Sequence, residues 1–374
     1  MMKKILCFLL LTSLFCTTAL AAPDIAAPSC ILVEASTGQV LYESNADEIL
    51  APASVTKIMT LLLTMEAVER GQLGWEDTVT ASSAAAAKGG SQVFLSEGEQ
   101  MPLWEMVKCV VVSSANDCAT ALAEAVSGSE SGFVEKMNQR AEELGMTGTT
   151  FLNCTGLDGE NGGNLTTARD IAIMSGELLK HDRIREYTTI WMDTIRGGSF
   201  GLSNTNKLVR FYDGTTGLKT GFTDSAGYCM SASAQKDGME LIAVVMHCET
   251  STDRFESAKG LLDYGFANYR TVSPLGEETL PEVTVELGKE ETVSPVLSSE
   301  EPILTEKAIQ VTREIELSQS VSAPVMEGQT LGTLRIRSGD KLLKEIPLVA
   351  ETEVEKLTAG DVYLKILERM WMGA

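Results

Sequence analysis

The sequence predicts an α+β protein built on an antiparallel sheet, and three observations support this fold class. Strand-like segments lie at both ends of the first 270 residues, whereas helical patterns fill the middle. A short hairpin turn joins the later strand segments, which makes them antiparallel rather than parallel neighbours. Beyond residue 271 the pattern changes to short alternating runs, which are typical of a small all-β domain. Strands followed by helices and then strands again do not fit a parallel, doubly wound sheet.

The first elements are a hairpin and a buried helix. Residues 30–34 and 39–43 are strand-like and flank the turn Ser36-Thr37-Gly38. Pro52 then favours the first turn of a helix, and residues 54–68 are apolar on nearly all sides, which predicts a buried helix. Further helices are predicted over residues 103–126, 133–144 and 168–179.

Strand patterns return in the last part of the first domain. They cover residues 216–221, 227–234 and 240–248, and Asp237-Gly238 marks the hairpin turn between the last two strands. A helix over 253–264 is expected to pack back on this sheet. The sequence therefore predicts a first domain over residues 22–271.

A β-rich domain over 272–358 and a helix over 359–374 complete the predicted organisation. Residues 275–360 hold 17 Asp+Glu and 8 Lys+Arg, a local charge of −9. In the final segment one helical face is apolar, and Asp361 is a candidate cap. That face consists of Tyr363, Ile366, Leu367, Met370 and Trp371.

The first 21 residues are predicted to be a signal peptide. Lys3 and Lys4 precede a short apolar run over 5–14, and Ala19-Leu20-Ala21 is a small-x-small cleavage site. Cleavage would leave 28 basic and 52 acidic residues, a net charge of 28 − 52 = −24. We therefore expect an exported protein, at the outer face of the cell membrane or in the cell wall.

The charge and histidine counts exclude several classes of function. The 374 residues include 30 Lys+Arg and 52 Asp+Glu, a net charge of −22, which argues against a nucleic-acid binder. With only two histidines, His181 and His247, a histidine-rich metal site is not expected, and neither is a cofactor. A Ser-His-Asp triad would depend on one of these two residues, so the sequence favours another base.

The cysteines beyond the predicted signal peptide are expected to be buried thiols rather than disulfides. Export would permit disulfides, but the six cysteines are sparse, and most of them lie in apolar runs. They are Cys30, Cys109, Cys118, Cys154, Cys229 and Cys248.

Three short motifs indicate the chemistry. In chain order they are Ser54-Val55-Thr56-Lys57, Ser114-Ala115-Asn116 and Lys219-Thr220-Gly221. An SxxK match arises by chance about once in a chain of this length, and a specified tripeptide about once in twenty such chains. All three in this order, on a helix, a helical region and a strand, form a strong signal for serine acyl transfer.

The motifs assign a nucleophile and its base. Ser54 and Lys57 stand three residues apart on a helix, so their side chains share one face. A lysine in an apolar helix can act as a base because burial lowers its pKa. Lys219, as a second cation, should further disfavour protonation of Lys57. Ser114 is expected to relay the proton to the leaving amine.

The remaining motif residues are expected to bind substrate. Asn116 would hold Lys57 and a substrate amide, and the strand with Lys219, Thr220 and Gly221 would pair with an extended peptide. The backbone N–H groups of Ser54 and Phe222 would form the oxyanion hole.

With these motifs, the mature sequence resembles the low-molecular-mass penicillin-binding proteins, the serine D-alanyl-D-alanine carboxypeptidases. The resemblance implies a β-lactamase/DD-peptidase-like catalytic domain that hydrolyses the terminal D-Ala-D-Ala bond of peptidoglycan stem pentapeptides through an acyl-Ser54 intermediate. It also implies acylation by β-lactam antibiotics, a β-rich C-terminal domain and an amphipathic membrane-binding tail. The segments that carry it are residues 52–60, 113–117, 204–208, 213–221 and 226–228.

The resemblance bears on two further positions. Arg254 is a candidate for binding the terminal carboxylate of the substrate, with a surface arginine at a helix start as the alternative. Asn164 stands where the family often has histidine, a departure expected to affect only a loop near the site.

Several alternatives stay open. A β-lactamase would share the motif order but needs an added base for deacylation, and Glu160 is the one acid considered for that role. A non-catalytic wall-binding protein would be expected to carry a broken motif. The final helix could pack on the β-domain instead of a membrane. The balance of carboxypeptidase and endopeptidase activity, the stem-peptide preference and the oligomeric state are not fixed by the sequence.

Overall fold

The computed structural model describes residues 22–159 and 162–372, so the predicted signal peptide lies outside the described residues. The helices are α1 (Lys57–Glu69), α2 (Ser83–Ala86), α3 (Leu103–Val112), α4 (Asn116–Ser127), α5 (Glu130–Glu143), α6 (Ala168–Leu179), α7 (Asp182–Thr188), α8 (Leu208–Phe211), α9 (Ser251–Asn268) and α10 (Ala359–Met372). The strands before residue 270 are β1 (Ser29–Glu34), β2 (Val40–Ser44), β3 (Thr78–Thr80), β4 (Gln100–Pro102), β5 (Met192–Ile195), β6 (Phe200–Ser203), β7 (Thr215–Thr223), β8 (Gly227–Lys236), β9 (Met239–Cys248) and β10 (Tyr269–Val272). The later strands are β11 (Val283–Glu286), β12 (Thr292–Val293), β13 (Pro295–Leu297), β14 (Ile303–Glu306), β15 (Val311–Leu317), β16 (Ser320–Ser322), β17 (Thr330–Ser338) and β18 (Lys341–Ala350).

A five-stranded antiparallel sheet forms the centre of the first domain. Its strand order is β2-β1-β9-β8-β7, which leaves β7 at one end of the sheet. Both predicted hairpins are present. In the turn between β8 and β9, Asp237 and Gly238 have φ values of 51° and 77°, the left-handed conformations that a type I′ turn requires.

Alternate residues of β9 enter two different cores, because side chains along a strand point to opposite faces of the sheet. Ile242, Val244 and Met246 join the core that contains α1 and α6. Leu241 and Val245 join the core that contains α9. The sheet is therefore covered by helices on both faces, which explains why β9 is apolar almost throughout.

The helix predicted over residues 103–126 is two helices. A turn at residues 113–115 separates α3 from α4, and Ser114 at its centre has a φ of 61°. The Ser113 and Ala115 N–H groups both donate to the Cys109 carbonyl, which closes the end of α3. Apolar residues continue on both sides of the break, so hydrophobic periodicity could not reveal it.

The start of the first helix also differs from the prediction. Ala53–Thr56 forms a 3₁₀ turn that leads into α1, and Pro52 precedes this turn instead of beginning the helix. Ala53 has a φ of 45°, a left-handed conformation that is strained for a residue with a Cβ atom. Ser54 thus lies in a tight turn directly before the N-terminus of the buried helix α1.

The C-terminal part is all-β, as predicted. A sheet of order β13-β18-β17-β15 is its largest unit, and a three-stranded sheet contains the parallel pair β11–β16. Between residues 22 and 372, apart from the gap at 160–161, no helix is long and apolar enough to cross a membrane. The predicted fold class is confirmed, and all six cysteines beyond residue 21 are buried free thiols, as expected.

Candidate active site

Ser54 and Lys57 form the centre of the site. The Lys57 Nζ donates to the Ser54 Oγ at 2.8 Å and to the Thr155 carbonyl at 2.7 Å. The 3₁₀ turn and the first turn of α1 are continuous, so residues three apart lie on one side, as the motif predicts. Lys57 is fully buried. A lysine amine shielded from solvent is therefore placed against the hydroxyl that it is expected to activate.

Burial lowers the pKa of Lys57 to about 7, and the Cys154 thiol and the Asp117 carboxylate partly offset this by favouring the charged form. A lysine with its ordinary pKa would be almost entirely protonated at neutral pH. At a pKa near 7, about half of the amine is free to accept a proton. The arrangement supplies a base without histidine.

The loop that carries the Thr155 carbonyl is tightly held. The Asn153 Oδ1 accepts hydrogen bonds from the backbone N–H groups of Thr155 and Gly156, at 3.1 and 2.7 Å. Gly156 has a φ of 82°, and a Cβ atom there would lie 1.8 Å from the Ala53 carbonyl oxygen. Only glycine allows this loop to approach the turn that contains Ser54.

The second motif lies at the break between α3 and α4. The Ser114 Oγ and the Asn116 Oδ1 are buried and have no hydrogen-bond partner among the described residues. The Asn116 Nδ2 donates to the Gly89 carbonyl at 2.7 Å, which fixes the amide with its oxygen unoccupied. The predicted contact between Asn116 and Lys57 is not formed among the described residues, because the Lys57 Nζ donates to the Ser54 Oγ and the Thr155 carbonyl while the Asn116 Oδ1 has no partner.

The third motif lies on β7. Lys219 is buried, and its Nζ donates to the Thr220 carbonyl at 3.0 Å. Burial holds the pKa of Lys219 well below its ordinary value, and the charges of Lys57 and Arg254 lower it further. The Thr220 Oγ1 donates to the Thr205 Oγ1 at 2.7 Å. The charge of Lys57 lowers the pKa of Lys219, whereas the low pKa of Lys57 comes from burial, so the expectation that Lys219 disfavours protonation of Lys57 stays a prediction.

Gly221 brings β7 against the Ser54 turn. A Cβ atom on Gly221 would lie 2.6 Å from the Pro52 carbonyl oxygen and 3.0 Å from the Ser54 backbone nitrogen. The next residue, Phe222, is 48% exposed and stacks on Tyr228 with ring centroids 4.3 Å apart. The first and third motifs therefore meet at the Ser54 turn.

Comparison with known proteins identifies the family. The family described as D-alanyl-D-alanine carboxypeptidase matches residues 16–250, and the penicillin-binding protein 5 C-terminal domain matches residues 269–356. The D-alanyl-D-alanine carboxypeptidase DacF of Bacillus subtilis is 43% identical over 338 residues, which are 88% of this chain and 86% of the relative. The chain belongs to the D-alanyl-D-alanine carboxypeptidase family. It is a serine carboxypeptidase, as its three motifs predict.

Solved structures of penicillin-binding proteins share this fold. Penicillin-binding protein 5 of Haemophilus influenzae has a TM-score of 0.75 at 30% identity and covers 90% of this chain and all of its own. Penicillin-binding protein D2 of Listeria monocytogenes, solved in an ampicillin-bound form, has a TM-score of 0.60 at 31% identity and covers 65% of this chain and 98% of its own. The first match spans both the catalytic and the β-rich parts.

Arg254 of this carboxypeptidase is not the surface arginine considered as an alternative. It is 7% exposed, and its guanidinium donates to the Gly221 carbonyl at 3.1 Å and to the Ser251 Oγ at 3.2 Å. The guanidinium also lies over the Phe255 ring at 4.6 Å. Arg254 therefore supports β7 at Gly221, the residue that approaches the Ser54 turn.

Two residues of the carboxypeptidase site were not anticipated as such. Thr155 contributes only its backbone carbonyl, which leaves no signal in the sequence. The buried Asp117 carboxylate accepts hydrogen bonds from the Val93 and Leu95 N–H groups and so holds the 93–95 loop. A charged residue directly after Asn116, within the first turn of a mostly apolar helix, was a usable signal for this role.

The two histidines of the carboxypeptidase contact residues outside the three motifs. The His181 Nδ1 lies 2.6 Å from a Glu69 carboxylate oxygen, and the His247 Nδ1 lies 3.1 Å from the Ala226 carbonyl oxygen. Glu160, the acid considered for a β-lactamase-like role, lies outside the described residues.

Proposed function

We propose that Ser54 is the nucleophile of a D-Ala-D-Ala carboxypeptidase and that Lys57 is its base. The observation that carries this proposal is the 2.8 Å contact between the Lys57 Nζ and the Ser54 Oγ, with Lys57 fully buried. A serine hydroxyl needs a base within hydrogen-bond distance to become a useful nucleophile. Lys57, with its lowered pKa, meets that need.

In the acylation step, the Ser54 Oγ attacks the carbonyl carbon between the two terminal D-alanines, and Lys57 takes its proton. The N–H groups of Ser54 and Phe222 donate to the oxyanion that forms. The tetrahedral intermediate collapses when the bond to the last D-alanine breaks. Ser114, whose hydroxyl has no partner among the described residues, passes the proton to the leaving amine. Water then attacks the acyl-Ser54 ester and returns the free serine.

Substrate binding uses β7, which lies at the end of the central sheet. An extended stem peptide can add to this strand by backbone hydrogen bonds. Lys219, with support from Thr220 and Arg254, attracts the terminal carboxylate, and the free Asn116 Oδ1 accepts from a substrate amide. Gly221 keeps the strand against the nucleophile.

The same site is proposed to react with β-lactam antibiotics. Their strained amide presents a carbonyl to Ser54, and the ring holds the leaving amine in place after the bond breaks. The ampicillin-bound form of the Listeria monocytogenes relative supports this reaction for the family.

Labelling with penicillin tests the nucleophile. The chain is treated with benzylpenicillin, digested and mapped by mass spectrometry, with Ser54→Ala as the comparison. We expect one adduct on the peptide that contains Ser54 and no adduct in the variant. Undiminished labelling of Ser54→Ala would remove Ser54 as the nucleophile.

Release of D-alanine from a stem-pentapeptide mimic tests the reaction. Stoichiometric, slowly reversed acylation by benzylpenicillin together with D-alanine release supports the carboxypeptidase. Rapid turnover of benzylpenicillin without D-alanine release would instead favour a β-lactamase.

We also propose that the protein is exported and that α10 contacts the membrane surface. Six apolar side chains of α10 whose burial is described are exposed: Val362, Tyr363, Leu364, Ile366, Leu367 and Met370. Such a helix lies in the interface with its apolar face buried among the lipids. Lys365 and Arg369 are matched by Asp361 and Glu368, so attraction to anionic lipid contributes little.

Co-sedimentation with phosphatidylcholine vesicles tests this contact. The chain is compared with the variant Ile366→Ser/Leu367→Ser, with Leu342→Ser, an exposed leucine of β18, as the control. We expect the double variant to lose most of its vesicle binding and the control to keep it. Equal binding of all three would refute a role for α10, whereas penicillin labelling should be the same throughout.

A further inference from the structure

Asn164 is a buried amide between two parts of the site. It lies before α6, is 2% exposed and uses both ends of its side chain. Its Oδ1 accepts from the Leu152 and Asn153 N–H groups at 2.6 and 3.1 Å. Its Nδ2 donates to the Thr56 Oγ1 at 2.9 Å and to the Asn153 carbonyl at 3.0 Å. Both lone-pair sites and both N–H groups of the amide are therefore satisfied.

These four hydrogen bonds connect the turn that leads into Lys57 with the loop whose carbonyl accepts from the Lys57 amine. Thr56 belongs to the 3₁₀ turn that holds Ser54, and it directly precedes Lys57. Leu152 and Asn153 begin the loop whose Thr155 carbonyl accepts from the Lys57 Nζ at 2.7 Å. One side chain thus fixes the distance between the helix that carries the amine and the carbonyl that orients it.

We infer that Asn164 is a positioning residue for the Lys57 amine, acting through Thr56 on one side and the 152–155 loop on the other. The inference rests on the proposed roles of Ser54 and Lys57. It goes beyond them because the hydrogen bonds of Asn164 reach Thr56, Leu152 and Asn153 rather than Ser54 or Lys57.

The chemistry of an amide suits this role. A carboxylate in the same place could accept from the loop but could not donate to Thr56 or to the Asn153 carbonyl. An amide also keeps its charge state at every pH. The Cys154 thiol of the loop and Asp117 of α4 act on Lys57, and Lys57 in turn acts on Lys219 of β7. The scaffold around Lys57 is therefore constant while Lys57 itself gains or loses its proton.

The chain offers a matched control in Asn138 of α5. Its Nδ2 donates to the Phe151 carbonyl at 2.8 Å, and its Oδ1 accepts from the Phe151 N–H at 2.8 Å. Asn138 therefore ties the same segment to a helix, one residue earlier, without any bond to the turn that holds Ser54. A merely structural role of such an amide should appear equally in Asn138→Ala and Asn164→Ala.

The experiment measures the second-order rate of acylation by benzylpenicillin between pH 5 and 9, per site labelled at Ser54, together with the melting temperature. For Asn164→Ala we expect a rate about tenfold lower at pH 7 and an apparent pKa about one unit higher, because a loosened loop admits water to the Lys57 amine. Asn138→Ala should lower the melting temperature but keep the pH profile and stay within about twofold of the wild-type rate.

A second variant covers the case in which Asn164→Ala does not fold. Thr56→Val keeps the shape of the side chain and removes only the acceptor for the Asn164 Nδ2. We expect a shift of the pH profile in the same direction, with a rate about threefold lower. A wild-type profile in Thr56→Val, or in a folded Asn164→Ala, would overturn the inference. Absence of an adduct at Ser54 in the wild-type chain would instead refute the proposed nucleophile.

Discussion

The basic residues of the active site and those of the C-terminal β-domain are alike in type but opposite in surroundings. Lys57, Lys219 and Arg254 are buried and donate to hydroxyl and carbonyl oxygens. Arg335 and Arg337 of β17 are partly exposed and pair with glutamates at 2.7 to 3.3 Å. The first group has no carboxylate within ion-pair distance among the described residues, whereas each member of the second group has at least one.

The difference shows which basic residues are kept although their burial destabilises the folded protein. Burying a cation without a counter-ion is unfavourable, so such a group persists only where it is needed or where it shifts its pKa. An exposed ion pair stabilises the folded state by about 0–1 kcal/mol, so its residues can be replaced with little loss of stability. Lys108 is an instructive intermediate, because it is buried but pairs with Asp193 at 2.9 Å. Burial without an ion pair therefore indicates the site better than charge alone.

The largest effect is expected from Lys57→Met. Removal of the base should lower the rate of acylation by benzylpenicillin by about 10³-fold. The melting temperature should not fall, because the variant also removes a buried charge. Lys108→Met is the control, with a lower melting temperature and an unchanged acylation rate per folded molecule. An acylation rate within tenfold of wild type in Lys57→Met would contradict the comparison.

A smaller loss is expected from Gly221→Ala. The added Cβ would lie 2.6 Å from the Pro52 carbonyl oxygen, so β7 or the Ser54 turn must move. We expect about 100-fold slower acylation, since small displacements of reacting groups have effects of this size. Gly201→Ala in β6 places its Cβ in open space and should leave the rate unchanged. Stopped-flow acylation of both variants measures the difference.

The pH dependence gives a further test of the buried cations. Because the pKa of Lys57 is about 7, acylation should fall about tenfold per pH unit below that value, where the amine is protonated. The unfolded chain keeps an ordinary lysine pKa and binds more protons than the fold above pH 7. Stability should therefore rise with pH between 7 and 9, by up to about 1.4 kcal/mol per unit from this group.

Denaturant unfolding of the wild type and of Lys57→Met at pH 7 and 9 measures the contribution of Lys57 to the increase in stability with pH. The variant should show a smaller increase in unfolding free energy between the two pH values. An equal increase in both proteins would mean that Lys57 is charged in the fold throughout this range.

The smallest effect is expected from Arg337→Gln in the β-domain. This variant removes the exposed pair with Glu314 at 3.3 Å. The unfolding free energy should change by less than about 1 kcal/mol, and penicillin labelling should not change. A loss of labelling would show that the β-domain charges act on the catalytic site, against the comparison.

Much of the catalytic site could be predicted because its residue types are chemically restrictive. The order of the three motifs predicts that Ser54, Lys57 and Lys219 meet, and the structure places them together. The break that presents Ser114 was missed, because apolar periodicity runs on through residues 113–115 while the local backbone turns. A left-handed serine leaves no trace in a hydrophobic pattern.

Contacts made by backbone atoms could not be predicted from the sequence either. The Thr155 carbonyl holds Lys57 through an atom that every residue possesses, so its identity carries no information. Asn164 was noticed only as a departure from a family pattern, and its four hydrogen bonds depend on loops 108 and 12 residues away in the chain. The sheet, by contrast, follows from alternation and turn residues that lie close together in sequence.

The position of β7 at the end of the sheet limits what the proposed enzyme can distinguish. Backbone hydrogen bonds to an edge strand are the same for every extended peptide, so they convey nothing about side-chain identity. In the proposed mechanism, substrates are distinguished by Lys219 and Arg254, the basic residues at β7, which attract the free carboxylate at the end of a peptide. Such a site selects where a peptide stops and tolerates variation in what precedes that end. A single enzyme of this kind can therefore trim many peptides that share only their terminus.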